Sequence, residues 1–191
     1  MKPAADIAES VWICETAWKD ILAVSARHLP LETGGMLIGY EAESGDPVVT
    51  SIIGPGPNAR HGRFRFKPDY DYQQELLDSR FHQTAGRETY LGDWHTHPSG
   101  ECSLSRRDVS VLRRIASCAS AGTRRPIMLV LVPSDHDWTA CTMRLITRGR
   151  LRRAKLQPLT RRLFSDEYRV PEDEARNHKS TRHSILPEVP S

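Results

Sequence analysis

The sequence lacks several features that would assign it to well-defined protein classes. None of its apolar runs approaches the roughly 20 residues that a membrane-spanning helix requires. The segment from Met1 to Cys14 contains acidic side chains and no apolar run, so we expect no secretory signal peptide. The four cysteines form no Cys-x-x-Cys pair and do not suggest a disulfide-stabilised fold. These absences predict a cytoplasmic protein that does not associate with membranes.

The motifs of several enzyme classes are missing as well. The sequence contains no His-Glu-x-x-His motif, no Gly-x-x-x-x-Gly-Lys phosphate loop and no Gly-x-Ser-x-Gly esterase motif. It has no Pro-Cys-x-x-Cys segment, which disfavours base deamination. A cysteine protease built on Cys102 and one of the histidines has no support beyond the presence of those residues.

The length and composition predict one folded domain with a sizeable core. The chain has 191 residues, of which 38% are hydrophobic and 27% are charged, as is typical of globular proteins. The net charge of +3 is too small to indicate nucleic-acid binding by itself, so nucleic acid is disfavoured as a partner. We predict an N-terminal arm at 1–9, a single domain at 10–147 and a basic, partly disordered C-terminal tail at 148–191.

Apolar spacing and turn residues predict alternating strands and helices, and hence an α/β fold. The predicted strands are 10–14, 36–40, 48–53, 61–66, the segment leading to His95, 126–133 and 138–147, and the predicted helices are 15–28, 69–81 and 109–120. The second and third strands should form a hairpin, as should the last two. Asp69 should cap the second helix, with Tyr72, Leu76 and Leu77 facing inward.

The segment after residue 147 is basic until Asp166. Its positive residues are Arg148, Arg150, Arg152, Arg153, Lys155, Arg161 and Arg162. Leucines in the same segment predict a short helix that Pro158 interrupts. The basic residues form either a solvated surface, which is the simpler interpretation, or a patch for an acidic partner.

The most informative stretch runs from Asp93 to Asp108 and contains two histidines separated by one residue. Strand-forming residues precede it, and a segment with helical apolar spacing follows it. If His95 and His97 end a strand, their side chains lie on one face, because side chains alternate along a strand. Together with Asp108 they would supply two imidazoles and one carboxylate, the number of protein ligands in a catalytic zinc site. The stretch therefore predicts a site for one Zn²⁺ ion.

A structural interpretation of the same residues stays open. His-x-His pairs arise by chance, and Ser105 with Asp108 forms a Ser-x-x-Asp pattern that resembles a capping box at the start of a helix. In that case Asp108 would stabilise a helix rather than bind a metal.

Two further residues would complete a hydrolytic site. Zinc lowers the pKa of bound water to about 7, and a carboxylate can take the proton and pass it to a leaving nitrogen. Glu32 is the candidate, since it precedes a Gly-Gly pair that lets two backbones approach closely, although a single glutamate is usually a surface charge. Ser105 would donate a hydrogen bond to the oxygen that gains negative charge. These roles predict hydrolysis of an amide or a related carbonyl compound.

Glu32-x-Gly-Gly-x-Leu-x-Gly, His95-Thr-His97-Pro and Ser105-x-x-Asp108 together resemble the motif of the JAMM metalloproteases, also called the MPN-plus or JAB family. The resemblance spans about residues 10–147. It implies a single domain with a mixed β-sheet flanked by helices, similar to the cytidine deaminase fold. It also implies zinc held by the two histidines and Asp108, Glu32 as acid and base, Ser105 as oxyanion partner, and isopeptide cleavage behind ubiquitin-like modifiers. Because all five positions match, an inactive scaffold member is disfavoured.

Within that family, a stand-alone domain with Gly-Asp-Trp before His95 is most similar to the deconjugating peptidases of CBASS anti-phage operons. Those peptidases are encoded beside activating and conjugating enzymes and reverse the attachment of a nucleotidyltransferase C-terminus to target proteins. The resemblance implies that the substrates are protein conjugates carrying a ubiquitin-like or CD-NTase C-terminal tail. It also implies activating or conjugating enzymes as neighbours.

Two other functions are open at this point. His-x-His-Pro-Ser-Gly followed by Ser-Arg-x-Asp also resembles the RadC-type JAB proteins linked to DNA metabolism, which would make the basic segment a DNA contact. Against this, we expect the residues before Ser10 to leave no room for the helical module that such proteins usually carry. The other alternative is a non-catalytic protein-binding module, in which the five motif residues would be idle.

Three residues are candidates for substrate binding. Trp94 and the loop from Gly54 to Arg63 would hold an extended substrate tail, although a core residue and a turn are equally compatible with the sequence. Cys102 lies between the metal ligands in the sequence, where it would contact substrate or approach the zinc as an inhibitory or redox-sensitive ligand. An inert loop thiol is the simpler interpretation of Cys102.

Overall fold

The computed structural model describes residues 9–135, 137–148 and 153–168. The strands in these residues are β1 (Ser10–Cys14), β2 (Gly34–Glu41), β3 (Pro47–Ile53), β4 (Arg60–His61), β5 (Phe66–Lys67), β6 (Thr89–Thr96), β7 (Ile127–Pro133), β8 (Trp138–Arg148) and β9 (Arg153–Phe164). The α-helices are α1 (Glu15–His28), α2 (Tyr70–Gln83) and α3 (Arg106–Ser117). Single turns of 3-10 helix follow at Ala119–Ala121 and Asp166–Tyr168.

Seven of the strands form one mixed sheet that closes into a barrel in the order β1–β3–β2–β6–β7–β8–β9. β9 closes the barrel by pairing in parallel with β1, so that Ser10 lies opposite Thr160. β6 and β7 are also parallel, whereas β2 is antiparallel to both of its neighbours. The mixed sheet with flanking helices confirms the predicted α/β fold class, and its closure into a barrel goes beyond the prediction.

Two apolar clusters lie on opposite faces of the sheet. Trp94 and Leu129 belong to the larger cluster, which also includes the buried side of α1. Leu112 of α3 packs on the other face, against a cluster that includes Met128 and Val130. Because side chains alternate along a strand, Asp93 and His95 lie on the face that α3 covers. Truncating Leu112 to alanine would cost about 2–5 kcal/mol and would loosen the helix that carries Asp108.

The glycine pair before Met36 allows β2 to lie close to both neighbouring strands. A Cβ atom on Gly34 would lie 2.4 Å from the carbonyl oxygen of Trp94, and one on Gly35 would lie 2.0 Å from the carbonyl oxygen of Ile53. Contacts this short do not occur, so any side chain at either position would push β2 away from β3 or β6. The predicted close approach of two backbones is therefore confirmed.

Most of the predicted elements are present. β1 and α1 have the predicted bounds, β2 and β3 form the predicted hairpin, and β7 and β8 form another. Asp69 caps α2 by accepting a hydrogen bond from the backbone N–H of Tyr72. The third helix has the predicted length but begins and ends three residues earlier, since α3 is Arg106–Ser117 rather than 109–120, and a 3-10 turn follows before Gly122.

Two predictions between residues 60 and 80 are wrong. The segment 61–66 is not one strand, because β4 and β5 pair with each other across a turn and leave the side chain of Phe64 79% exposed. On α2, Tyr72 and Leu76 do not face inward; they are more than one-third exposed, and Gln73 is the buried residue. Gln73 is buried because its amide donates a 2.8 Å hydrogen bond to the carbonyl of Gly54.

The short helix predicted after residue 147 is also wrong, because residues 153–164 form β9. This strand has hydrogen-bonding neighbours on both sides, β8 and β1, and that tertiary pairing outweighs the local helical spacing. The barrel therefore includes residues that were expected to belong to a tail. The arm predicted at 1–9, apart from Glu9, and the disorder predicted after Asp166, apart from residues 167–168, lie outside the described residues.

Candidate metal centre and its cleft

The carboxyl end of β6 carries the two histidines of the motif. His95 is in the strand, and His97 lies just beyond its last residue, Thr96. The backbone N–H of Thr96 donates to the carbonyl of Thr33, and that of His97 donates to the carbonyl of Leu131, each at 2.8 Å. These bonds keep the chain extended past the end of the strand. The two imidazoles consequently lie on the same face, as the sequence predicts.

The three predicted metal ligands lie close together. His95 Nε2 is 2.9 Å from His97 Nε2 and 3.5 Å from Asp108 Oδ1, and His97 Nε2 is 3.6 Å from Asp108 Oδ2. One ligand atom from each residue lies within 4.8 Å of the others. Ligands placed tetrahedrally at about 2.0–2.1 Å from a zinc ion are about 3.3 Å apart. The donor set and its spacing therefore fit a small tetrahedral ion.

His97 also has the protonation state that a metal ligand requires. Its Nδ1 lies 3.2 Å from the carbonyl oxygen of Glu101, to which only a protonated Nδ1 can donate. That hydrogen bond leaves the Nε2 lone pair directed at the cluster. Burial lowers the pKa of His97, and the neighbouring His95 lowers it further. The side chain is thus held neutral, which is the form that binds a metal.

Asp108 takes part in the helix cap and in the cluster at the same time. Its backbone N–H donates to Ser105 Oγ at 3.2 Å, and its Oδ2 accepts from the Ser105 N–H at 2.7 Å, so the predicted capping box is present. Burial alone would raise the pKa of Asp108, but hydrogen bonds with His95 and Ser105 hold it well below its usual value. Capping and ligation are therefore compatible, because the ionised carboxylate also faces the histidines.

Glu32 lies immediately before β2 and lines the same cleft as the histidines. Its backbone is fixed by the β4–β5 ribbon, since its N–H donates to the carbonyl of Gly62 at 2.8 Å and its carbonyl accepts from His61 Nδ1 at 3.0 Å. Burial raises the pKa of the Glu32 carboxyl, the charge of Asp108 adds to the rise, and neighbouring positive charges oppose it. A half-buried carboxyl with a raised pKa beside a metal centre is suited to gain and release a proton.

A cleft of about 740 Å³ surrounds these side chains. Its residues come from α2, α3, the β4–β5 ribbon and strands β2, β6 and β7. Phe64, Phe66 and Tyr70 form an aromatic part of the lining, and Arg107 and Arg114 of α3 form a charged part. A cleft of this size that combines aromatic, apolar and charged side chains is typical of a ligand site.

Asp93 is a cleft residue that the sequence does not single out. It lies two residues before His95 on the same face of β6, and its Oδ1 accepts a 2.8 Å hydrogen bond from the Tyr90 hydroxyl. Burial raises the pKa of Asp93 to about 6, although the Tyr90 hydrogen bond opposes the rise. Its period-two spacing with His95 and His97 is the signal that could have identified it.

The predicted substrate-binding residues lie in different environments. Trp94 is among the residues that line the cleft, but it is only 1% exposed and packs in the cluster that includes α1, as the core interpretation expects; its indole nitrogen has no hydrogen-bond partner. Arg63 lies exposed in the turn between β4 and β5 and is not part of the cleft lining, whereas its neighbour Phe64 is. The aromatic residues of the ribbon are thus better placed than Arg63 to contact a substrate.

Cys102 faces away from the metal ligands. Its thiol lies 3.7 Å from the carbonyl oxygen of Val130 on β7 and contacts the thiol of Cys141 on β8. It is not among the residues that line the cleft. This geometry agrees with the simpler interpretation, an inert loop thiol, and gives no support to a zinc ligand or a substrate contact.

Comparison with known proteins places this geometry in a family. Residues 15–145 match the family model described as prokaryotic homologues of the JAB domain. The chain belongs to this family. The resemblance to the JAMM, or JAB, metalloproteases is therefore confirmed. Family membership makes the chain a hydrolase of the metalloprotease type and implies a metal ion.

Individual relatives agree with this assignment. "Probable metalloprotease y4qB" of Sinorhizobium fredii is 35% identical over 131 residues, which cover 67% of this chain and 79% of the relative. A "CD-NTase/cGAS isopeptidase" of Vibrio cholerae is 36% identical over 87 residues, covering 46% of this chain and 55% of the relative. A protein of the same name from Escherichia coli is 37% identical over 67 residues, covering 35% and 42%. The matches thus span about half of each isopeptidase or less.

One solved structure supports the fold. The solution structure of protein DSY2949 from Desulfitobacterium hafniense has a TM-score of 0.60 and 15% sequence identity, and the match covers 82% of this chain and 94% of that one. At this identity the similarity concerns the fold alone. Among the described residues, no helix is long and apolar enough to cross a membrane. The cytoplasmic location stays a prediction.

Proposed function

We propose that this chain is a zinc-dependent isopeptidase that removes a ubiquitin-like or nucleotidyltransferase-type modifier from target proteins. The observation that carries the proposal is the cluster of His95, His97 and Asp108 within 4.8 Å, beside the half-buried Glu32 in an open cleft. A metal with a carboxyl group next to it is the arrangement that amide hydrolysis by water requires.

In this proposal His95, His97 and Asp108 hold one zinc ion. Two neutral imidazoles and a carboxylate are nitrogen and oxygen ligands that zinc accepts, and three protein ligands leave one position open. A zinc ion there supplies Lewis acidity, which makes water acidic enough to serve as a nucleophile near neutral pH.

Glu32 acts as the general base and then as the general acid. Its carboxylate takes a proton from the attacking water while the oxygen of that water bonds to the scissile carbonyl carbon. It then gives the proton to the lysine nitrogen as the carbon–nitrogen bond breaks, so that a carboxylic acid and an amine are released. The raised pKa of Glu32, caused mainly by burial, favours both transfers near neutral pH.

Ser105 stabilises the negative charge that develops on the carbonyl oxygen. Its Oγ accepts a hydrogen bond from the Asp108 N–H, which orients the hydroxyl and leaves its proton available to donate. Removing a donor of this kind costs about 100-fold or more in kcat.

The substrate class follows from the relatives and the cleft. Two of the relatives described above are named CD-NTase/cGAS isopeptidase, which supports protein conjugates of a nucleotidyltransferase as the substrates. A role in anti-phage defence is part of the proposal and rests on the motif resemblance alone. Activating and conjugating enzymes would make the conjugates that this chain cleaves. The cleft has a volume of about 740 Å³ and aromatic side chains that would hold the extended C-terminal tail of a modifier.

The DNA-related alternative has less support. The relatives described above are named as a metalloprotease and as isopeptidases. Two arginines of the basic segment are engaged within the protein, since Arg161 lies over the ring of Trp18 and Arg162 over that of Trp12. Both side chains are exposed, so these contacts give each arginine a role within the protein that does not require DNA.

The proposal is tested by replacing the chain in its native host with Glu32→Gln. This variant keeps the shape of the side chain and the metal ligands but loses the base. We expect higher-mass protein adducts to accumulate on denaturing gels, and the intact masses of the adducts to identify modifier and target. The matched control is Glu75→Gln, an exposed glutamate of α2 outside the cleft, which should give the wild-type pattern.

An adduct profile that is the same in wild type, Glu32→Gln and Glu75→Gln, with the modification system expressed, would rule out isopeptide removal as the function. Accumulation with both variants would show that the effect does not come from the proposed base.

A further inference from the structure

The floor of the cleft contains an acidic side chain that the hydrolytic mechanism does not use. Asp93 lies on β6, on the same face as His95 and two residues before it, which places it about 7 Å from His95 along the strand. Both residues line the cleft. Asp93 is therefore next to the reacting centre without being part of it.

The surroundings of Asp93 are largely apolar. Its direct neighbours in the sheet are Met36 on β2 and Met128 on β7, and both also line the cleft. The hydroxyl of Tyr90 donates to Oδ1 at 2.8 Å and fixes the orientation of the carboxylate. Among the described residues, no lysine, arginine or histidine nitrogen lies within 4 Å of Asp93; His95 and Arg114 act on it from longer distances.

A desolvated carboxylate without a close counter-ion is costly unless a partner arrives. Since Asp93 faces a cleft open to ligands, the missing partner is expected in the substrate. The best complement to a carboxylate on an apolar floor is a cationic side chain that brings its own apolar stem, as arginine and lysine do.

We propose that Asp93, oriented by Tyr90, is a specificity-determining residue that binds an arginine or lysine side chain of the substrate, on the acyl side, at the second residue before the one whose carbonyl is cleaved. This inference rests on the proposed isopeptidase function and identifies the kind of tail that the cleft accepts. The distance of about 7 Å from His95 corresponds to two residues of an extended peptide. The acyl side is assigned because a flexible C-terminal tail, unlike a folded target protein, can lie extended along the cleft.

The experiment uses zinc-loaded protein and quenched fluorogenic isopeptides, in which an acyl peptide is joined through its C-terminal carboxyl to the Nε of a lysine. The acyl peptide consists of glycine and alanine and carries one arginine, or its neutral isostere citrulline, at each position in turn. We expect wild type to prefer arginine over citrulline by about tenfold or more in kcat/KM at the second residue before the scissile one, mainly through KM.

Three variants separate recognition from folding. Asp93→Asn is nearly isosteric and can still accept from Tyr90, so it should lose the arginine preference, and its kcat/KM values for the arginine and citrulline substrates should become nearly equal. Tyr90→Phe keeps the charge of Asp93 but removes the hydrogen bond that orients its carboxylate. It should therefore reduce the preference for arginine only in part. Asp71→Asn, on the exposed side of α2 and outside the cleft, should keep the wild-type preference.

The outcomes for this inference and for the proposed function are distinguishable. If wild type cleaves the series with equal kcat/KM for arginine and citrulline at that position, or if Asp93→Asn keeps the preference, the inference is wrong and the isopeptidase function stands. If wild type cleaves none of the series, the isopeptidase function is contradicted, and fluorescence anisotropy with the same acyl peptides decides the inference. Tighter binding of the arginine peptide to wild type than to Asp93→Asn supports it, and equal binding overturns it.

Discussion

The cleft and the closure side of the barrel use their charged residues in opposite ways. On the closure side, which we define as β8, β9 and β1, three arginines have partners within the protein, namely Arg144, Arg161 and Arg162. Arg144 is 2% exposed and bonds to the Glu41 carboxylate and to the carbonyls of Gly45 and Arg125, and Arg162 lies over a tryptophan ring. In the cleft, Glu32 is half-buried and no cation lies within 4 Å of it or of Asp93 among the described residues.

The difference indicates what each set of charges is for. A buried charge with its hydrogen bonds satisfied contributes to the folded state, and removing its partner destabilises that state. A desolvated charge that faces an open cleft gains its partner only when substrate binds or reacts. Substitutions on the closure side should therefore change the free energy of unfolding, and substitutions in the cleft should change the kinetics.

The largest expected effect is that of Glu32→Gln on turnover. Loss of a general base lowers kcat by about 100- to 10,000-fold, whereas the thermal midpoint and the zinc content should stay close to those of wild type. Steady-state kinetics on a quenched isopeptide, with metal analysis of the same sample, measure both. A variant that loses its zinc together with its activity would contradict the assignment of Glu32 as a base.

Substitution of Ser105 should change both the kinetics and the free energy of unfolding, because this residue caps α3 and faces the cleft. Ser105→Ala should lower kcat by about 100-fold and, by removing the cap, lower the free energy of unfolding by about 1 kcal/mol. Ser105→Thr keeps the hydroxyl and should therefore keep most of the wild-type kcat and most of the wild-type free energy of unfolding. Kinetics and denaturant unfolding of the two variants give the readouts; normal kcat in Ser105→Ala with a loss of stability would leave capping as its only role.

On the closure side, Arg144→Met should change the free energy of unfolding without changing the kinetics. Removing a buried guanidinium that holds Glu41 and two backbone carbonyls should cost about 2 kcal/mol in unfolding free energy. Because Arg144 is not among the cleft residues, kcat and KM of the folded variant should match those of wild type. Urea unfolding, followed by tryptophan fluorescence, measures the free energy of unfolding. Loss of activity at full stability would show that the two regions are coupled.

Arg161→Gln and Arg162→Gln should each have a small effect. A cation–π contact at an exposed site contributes about 0.5–1 kcal/mol, so each variant should lose no more than that in stability and should keep the wild-type KM. A large rise in KM that depends on salt would instead support a patch for an acidic partner.

The smallest expected effect is that of Cys102→Ser on turnover. The thiol contacts Val130 and Cys141 rather than the cleft, so kcat and KM should be unchanged. Exposure of wild type to a mild oxidant, followed by the same assay, provides a second check. A change in turnover in either case would revive Cys102 as a regulator of the zinc site.

The parts of this molecule that the sequence predicts well are those encoded by local patterns. His95 and His97 are two residues apart, and Ser105 and Asp108 are three apart, so strand and helix periodicity alone bring each pair onto one face. Glu32 is distant in sequence, and its place beside the cluster depends on the glycine pair that draws β2 against β6. The Gly-Gly pair that follows it made Glu32 a weak candidate, and the resemblance to a known motif gave the stronger reason to join it to the site.

The parts that the sequence does not predict depend on contacts between distant segments. β9 pairs with β1 across about 150 residues, and its own spacing suggests a helix, so only tertiary pairing explains its conformation. Asp93 becomes a cleft-floor residue because Met36 and Met128 come from two other strands to flank it. Gln73 is buried through a hydrogen bond to a loop that no periodicity identifies.

Whether His95, His97 and Asp108 hold a catalytic ion is tested by measuring the rate of isopeptide hydrolysis while metal-free protein is titrated with zinc. We expect no turnover without metal and a rate that rises linearly up to one equivalent of zinc per chain. Asp108→Asn should show little or no zinc-dependent activity. Full turnover by the metal-free protein, or a rise in Asp108→Asn equal to that of wild type, would contradict the proposal that His95, His97 and Asp108 hold the catalytic ion.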